Sequence, residues 1–156
     1  MARAKSYNIQ GKKIKNFQIR WNEALGHKEC PYAYRWVFTT PWFSIRVHNF
    51  LRSDDKRYFH DHAWDFWTFI LKGSYYDVSP QKLNNNNNKI SKKLRKTYHL
   101  YKVEAEHKHY VEVNKSCWTL LFCLPKKRNW GFWVNGKFKR PLKYFYKFGH
   151  PPCDEY

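Results

Sequence analysis

The sequence predicts an all-β domain, and three observations predict it. Apolar residues recur with period two along most hydrophobic stretches. Those stretches are rich in Val, Ile, Thr, Phe, Tyr and Trp, and Gly, Pro, Asn and Ser gather between them. A chain of 156 residues, 42% hydrophobic and 21% aromatic, has ample material for one core, so a single domain over residues 1–156 is expected.

Taken in order, the first element is the one place for a helix. In "NFQIRWNEALG" (Asn16 to Gly26), Asn16 suits a cap and Gly26 a stop. "WFSIRVHNFL" (Trp42 to Leu51) then alternates as a strand, and "SDD" (Ser53 to Asp55) reads as a turn. "DFWTFILKG" (Asp65 to Gly73), "TYHLYKVEAE" (Thr97 to Glu106), "HYVEV" (His109 to Val113) and "CWTLLFCL" (Cys117 to Leu124) follow as further strands. The tract "NNNNNK" and the "SKKLRK" after it are polar and of low complexity, which predicts a mobile loop over residues 84–96.

Thirty Lys and Arg against twelve Asp and Glu leave a formal charge of +18, which draws polyanions whatever the fold. The basic residues cluster in Arg3 to Arg20, Lys82 to Lys102 and Lys126 to Lys147, the last with interleaved aromatics that suit phosphates and stacked bases. Nucleic acid, another polyanion or a viral or host protein is therefore a candidate partner. The poly-Asn tract offers the plainer account, a compositional bias toward Lys and Asn.

Of the four cysteines, Cys117 and Cys123 stand about 20 Å apart along one strand, too far to bridge. All four are expected as reduced thiols, which places the chain in the cytoplasm and not outside the cell. The amino-terminal "MARAKSYNIQGKK" is not followed by an apolar stretch, and "CWTLLFCLP" is too short to cross a bilayer, so neither export nor membrane insertion is expected. GxSxG, P-loop, GxGxxG and HExxH motifs are absent.

The strongest functional signal is "RYFHDHAWDFWTFILKGSYYD". In an extended segment His60 and His62 point the same way, so both imidazoles reach one point. A second period-two pair, His107 and His109, sits in "VEAEHKHYVEV". Two such strands facing each other bring the rings together.

An HxH, then Gly73 near the end of the same strand, then a loop and a later His: this order resembles the cupin superfamily. The segments "HNFLRSDDKRYFHDHAWDFWTFILKGSYYD", "AEHKHYVEV" and "CWTLLFCLPKKRNWGFW" more closely resemble a group of small cupin-like proteins of tailed bacteriophages and bacteria, over about Pro31 to Trp133. The resemblance implies a jelly-roll (double-stranded β-helix) barrel with at most one or two short helices, commonly paired into a homodimer. It implies metal ligation by His60, His62 and His109, with His109 rather than His107 at the second motif's histidine. Two departures stand out: Glu104 and Glu106 replace that motif's Pro and Gly, and Phe66 or Trp67 stands where the first motif has its glutamate.

Three imidazoles with an open position suit Fe(II) or Zn, and also Ni or Cu. The activity so implied is that of a small-molecule metalloenzyme, dioxygenase or isomerase, with Tyr75 or His48 assisting proton movement. Asp61 and Asp65, and also Asp54 and Asp55, are candidate partners that fix the imidazole tautomers. Arg46 is a candidate clamp for an anionic ligand, and Trp67 and Trp118 are candidate stacking surfaces. Each has a plainer account: histidines hydrogen-bonded to Asp61, Asp65 or Glu106 without metal, a solvated Arg46 face, and aromatics that are simply core.

Overall fold

The computed structural model describes residues 10–27, 29–81, 89–150 and 153. The strands run β1 (Gln10–Ile14), β2 (Phe17–Gly26), β3 (Pro31–Thr39), β4 (Ser44–Phe50), β5 (Phe59–His60), β6 (Phe66–Lys72) and β7 (Tyr75–Gln81). They continue with β8 (Lys89–Arg95), β9 (Leu100–Val103), β10 (Tyr110–Glu112), β11 (Cys117–Cys123), β12 (Phe132–Val134) and β13 (Lys137–Lys139), and α1 (Pro141–Phe148) follows. The all-β expectation holds, with one short helix among the described residues.

Seven strands form one antiparallel sheet in the order β1-β2-β3-β4-β11-β6-β9. Two three-stranded sheets, β10-β7-β8 and β13-β12-β5, complete the fold. A bridge between His60 and His109, with both N–H···O bonds at 2.9 Å, joins these two into one layer. A cavity opens between that layer and the large sheet, lined from both.

Among the described residues, the two layers of the expected jelly-roll fold do not close edge to edge into a barrel. The large sheet ends at β1 and β9, and the second layer at β8 and β13. These four end strands carry lysines, Lys12 and Lys13, Lys102, Lys92 and Lys93, Lys137 and Lys139, and charged side chains disfavour further edge pairing.

Alternation sets which face is core. On β6, Phe66, Thr68 and Ile70 are buried while Trp67 and Phe69 lie on the other face; on β11, Cys117, Thr119, Leu121 and Cys123 are the buried set. One apolar cluster joins Ala33, Phe50, Ile70, Tyr75, Val111 and Cys117 across the two layers.

The helix expected over Asn16 to Gly26 is instead β2. Phe17, Ile19 and Trp21 alternate with Gln18 and Arg20, and the ladder to β3 shifts register between Arg20 and Glu23, where Asn22 has a φ of 52°. Strand pairing on both sides outweighs the helix propensity of "NEAL". The true helix begins with Pro at its first turn, where a missing N–H costs nothing. It docks by stacking Tyr144 on Phe132, centroids 3.8 Å apart, and by the Tyr144 hydroxyl donating to Asp55 at 2.7 Å.

Two further expectations change. Residues 82–88 lie outside the described set, but Lys89–Arg95 is strand β8, paired with β7 along its length, so the loop expected over 84–96 is a strand in its second half. "SDD" is no surface turn: Ser53, Asp54 and Asp55 are buried, and Ser53 and Asp54 accept the backbone N–H groups of Val113 and Val111.

Candidate metal centre

His60 belongs to a two-residue strand held between β12 and His109. Beyond it, the His62 N–H donates to the Ala105 carbonyl at 2.9 Å, which keeps the segment extended. Asp61, fully buried between the two histidines, faces the other way: its carboxylate accepts from Gly131 N at 2.8 Å, Arg128 at 2.8 Å and Trp133 Nε1 at 2.9 Å. That three-way anchor fixes the alternation, so both imidazoles emerge on the cavity side.

His109 meets them there. Ring centroids lie 5.2 Å apart for His60 and His62, 4.9 Å for His60 and His109, and 5.0 Å for His62 and His109. One ring nitrogen from each lies within 4.8 Å of the others, and the Nε2 atoms of His62 and His109 are 2.9 Å apart. Three nitrogens so placed form a group that could hold one metal ion. His107 does not join it; its Nε2 is 2.9 Å from Asp77.

Of the carboxylates behind the rings, Asp54 was a candidate and Asp77 was not. Asp77 of β7 accepts from His109 Nδ1 at 3.0 Å, from His107 and from Arg95 at 2.6 Å, and so directs His109 Nε2 toward the other rings. Asp54 lies 3.7 Å from His60 Nδ1. Asp61, as above, holds backbone and Arg128, and Asp65 accepts the Ala105 N–H at 2.7 Å and pairs with Lys127. Neither touches an imidazole. Asp77 was legible only through the β7–β10 register, which sets it opposite Val111, two residues from His109.

Burial pushes the pKa of His60, His62 and, less far, His109 below the ordinary imidazole value, with mutual repulsion adding to the first two. Neutral rings are the ligating form. For Asp77, burial acts upward, but the bonds from His107, His109 and Arg95 outweigh it and hold the carboxylate ionised. Burial raises Asp54 well above the carboxylate range against the Val111 N–H.

The three rings form part of the wall of a cavity of about 610 Å³. Tyr75, His48 and Arg46 line it too, as their candidacy required. Burial raises the Tyr75 phenol, so it stays protonated, and lowers the His48 imidazole. His48 Nε2 and Thr119 Oγ1, on paired positions of β4 and β11, are buried without a hydrogen-bond partner. The Arg46 guanidinium lies 3.9 Å over the Trp64 ring, and burial lowers its pKa to about 10, so it remains a cation. Glu23 pairs with Arg20 and Arg35; among the described residues no carboxylate pairs with Arg46.

Trp67 and Trp118 do not line the cavity. Each alternates with residues that do, Phe66 and Thr68 or Thr119, and so falls on the outer face of the large sheet. There Trp118 stacks on Trp36 at 5.5 Å and Trp67 leans on Phe122 at 6.3 Å. Phe66 meets His62 edge to face, ring centroids 4.8 Å apart. The aromatic wall is made instead by Trp64, Trp130, Phe50 and Phe132.

The cysteines also depart from expectation. Cys117 and Cys123 are free and buried, but the structure joins Cys30 to Cys153. Their separation of 123 residues leaves no local trace in the sequence. Among the described residues no helix is long and apolar enough to cross a membrane.

No described protein family and no curated protein matches the chain. Among solved structures it is similar to HppE in its Fe(II) form, at TM-score 0.49 and 15% identity over 72% of this chain and 58% of that one. It is also similar to an RmlC-like cupin from Shewanella frigidimarina, at 0.47 and 9% over 80% and 90%, and to EutQ of Clostridium difficile, at 0.46 and 12% over 65% and 75%. The chain thus spans little more than half the length of the HppE protein.

Proposed function

We propose that this chain binds a divalent metal, Fe(II) or Zn, through His60, His62 and His109, and acts on a small anionic molecule in the adjoining cavity as a dioxygenase or isomerase. One observation carries the reading: three imidazoles, His109 buried and His60 and His62 half-buried, converge on the wall of a cavity with their pKa values lowered toward the neutral form, and His109 is oriented from behind by a buried carboxylate. The donor set fits. Three neutral nitrogens without a carboxylate leave the ion's charge uncompensated and positions open, which favours capture of an anionic ligand.

The bound ion would supply Lewis acidity, and in the case of Fe(II) redox chemistry. The chain's own residues would do the rest. Arg46, positioned by Ser44 and Trp64, would hold a carboxylate or phosphate through its planar fork. His48 Nε2 and Thr119 Oγ1 would satisfy their open hydrogen-bonding capacity on the ligand. Tyr75, held protonated by burial, would act as a proton donor. Phe66 and Phe132 would exclude water.

The test is elemental analysis beside thermal unfolding. Wild type should retain metal that His60→Ala and His109→Ala each lose, and a chelator should lower the wild-type melting temperature but not that of the variants. Equal metal content in wild type and His109→Ala would end the reading. A charge of +18 favours a second reading, attachment to a polyanion, which predicts affinity falling steeply with salt and indifferent to those two substitutions.

A further inference from the structure

A second cluster of ligating side chains lies at the end of the cavity away from any cupin-like motif. The sequence repeats one five-residue pattern at points far apart, "GHKEC" (Gly26 to Cys30) and "GHPPC" (Gly149 to Cys153). In each a glycine with positive φ, 101° at Gly26 and 65° at Gly149, ends an element, β2 or α1, and turns the chain. At Gly26 a Cβ would meet the Tyr32 ring at 2.7 Å, so the close turn requires glycine there. A His follows each glycine directly, and a Cys comes three residues after the His.

The fold brings the two turns together. One ligand atom each from His27, Cys30 and Cys153 lies within 4.8 Å of the others, and His27 Nδ1 is 3.8 Å from Cys153 Sγ. His150 lines the same end of the cavity as Gly26 and stacks on Phe145 at 4.3 Å. It lies outside the 4.8 Å group, so it would have to swing in by side-chain rotation to join the other three. Arg52 donates to the Cys30 carbonyl and reaches its sulfur at 3.5 Å, a cation that favours the thiolate.

We propose that in the reduced chain His27, Cys30, His150 and Cys153 form a tetrahedral Zn2+ site that ties the C-terminal segment to the β2–β3 turn. Two nitrogens and two sulfurs are a preferred structural zinc set, and His-x-x-Cys places two of its ligands on one turn. Two sulfurs on one Zn2+ at ~2.3 Å stand about 3.8 Å apart. The 5.7 Å between the Cα atoms of Cys30 and Cys153 accommodates that by side-chain rotation. Disulfide and metal are then alternative closures of one junction. A phosphine reductant and water convert the S–S bond to two thiols and the phosphine to its oxide, and Zn2+ then displaces both thiol protons. Unlike the three-histidine centre, this set is closed and contains thiolate.

Co2+ distinguishes the two sites, because only thiolate ligation gives intense sulfur-to-cobalt charge-transfer absorption in the near ultraviolet. Phosphine-reduced wild type titrated with Co2+ should develop that band at one equivalent, and so should the His60→Ala/His62→Ala double variant, whatever becomes of the metalloenzyme reading. Zn2+ should bleach it. Cys30→Ser should lower the band by at least half, and His150→Ala, which keeps both thiols, should weaken Co2+ binding tenfold or more. Reduced wild type without the band would overturn the proposal and leave the junction a disulfide only. Full intensity in a folded Cys30→Ser variant would overturn it equally.

Discussion

The three-histidine centre lines a cavity that Gly26 and His150, neighbours of the Cys30–Cys153 junction, also reach, but the two are built in opposite ways. The first stands on strands. Its ligands come from the end of β5, from two residues beyond it and from the residue before β10, all held by backbone hydrogen bonds, and His109 is backed by the buried carboxylate of Asp77. The second stands on turns, its members delivered by two glycine-ended elements 123 residues apart in the chain. Strand alternation can aim side chains at a common point without a covalent tie. Turns need a cross-link, sulfur or metal, to hold the same convergence.

The contrast breaks most severely at Asp77. Asp77→Ala leaves Arg95 and two imidazoles without their shared acceptor in a buried site, and should cost about 3–5 kcal/mol in urea unfolding. Metal affinity at the three-histidine centre should fall with it. Undiminished stability would show that the centre does not depend on its strand-borne carboxylate.

Opening the junction should come next. Reduction without metal should lower stability by about 2–4 kcal/mol, because a long loop regains its freedom in the unfolded chain. Added Zn2+ should restore part of that loss.

Acid should act most on the strand-built region, which has four histidines of lowered pKa against His150 at the junction. His48, His60, His62 and His109 have folded-state pKa values below the 6.5 of the unfolded chain. Below pH 6.5 the unfolded state therefore takes up protons that the folded state refuses, and stability falls as pH drops, by up to about 1.4 kcal/mol per unit for each such histidine. Above that pH the contribution is complete. Unfolding midpoints measured from pH 7.5 down to 5 should decline, and a flat profile would contradict the burial of these rings.

The smallest effect belongs to the outer face. Trp67→Phe should cost less than about 1.5 kcal/mol and leave metal content unchanged, since its ring lies across the sheet from the cavity. Arg46→Met, on the inner face, should spare metal content but weaken binding of small carboxylates or phosphates.

How much was legible varies with the range of the cause. His60 and His62 were readable as a pair because period two is local, and so were His107 and His109, between which only the family resemblance chose His109. Arg46 and His48 followed from alternation along their strand, whereas Tyr75 came from the resemblance. Trp67 and Trp118 did not, since both faces of β6 and β11 are aromatic or apolar and hydrophobicity alone could not say which was inside. Asp61 and Asp65 were misassigned for the opposite reason: nearness in sequence to the histidines put them on the other side of an extended chain. The stretch from Phe17 to Gly26 failed as a helix because pairing with β1 and β3 is a tertiary event.

The sequence by itself determined the all-β class, the positive charge, and which histidines share a face, because each depends on composition or on residues a few positions apart. Only the tertiary structure decided that Asp77 stands behind His109, that the layers remain open at lysine-bearing edges, and that the two Gly-His-x-x-Cys turns meet. Those are contacts between residues tens to more than a hundred positions apart, and the register of the sheets, not any local pattern, brings them together.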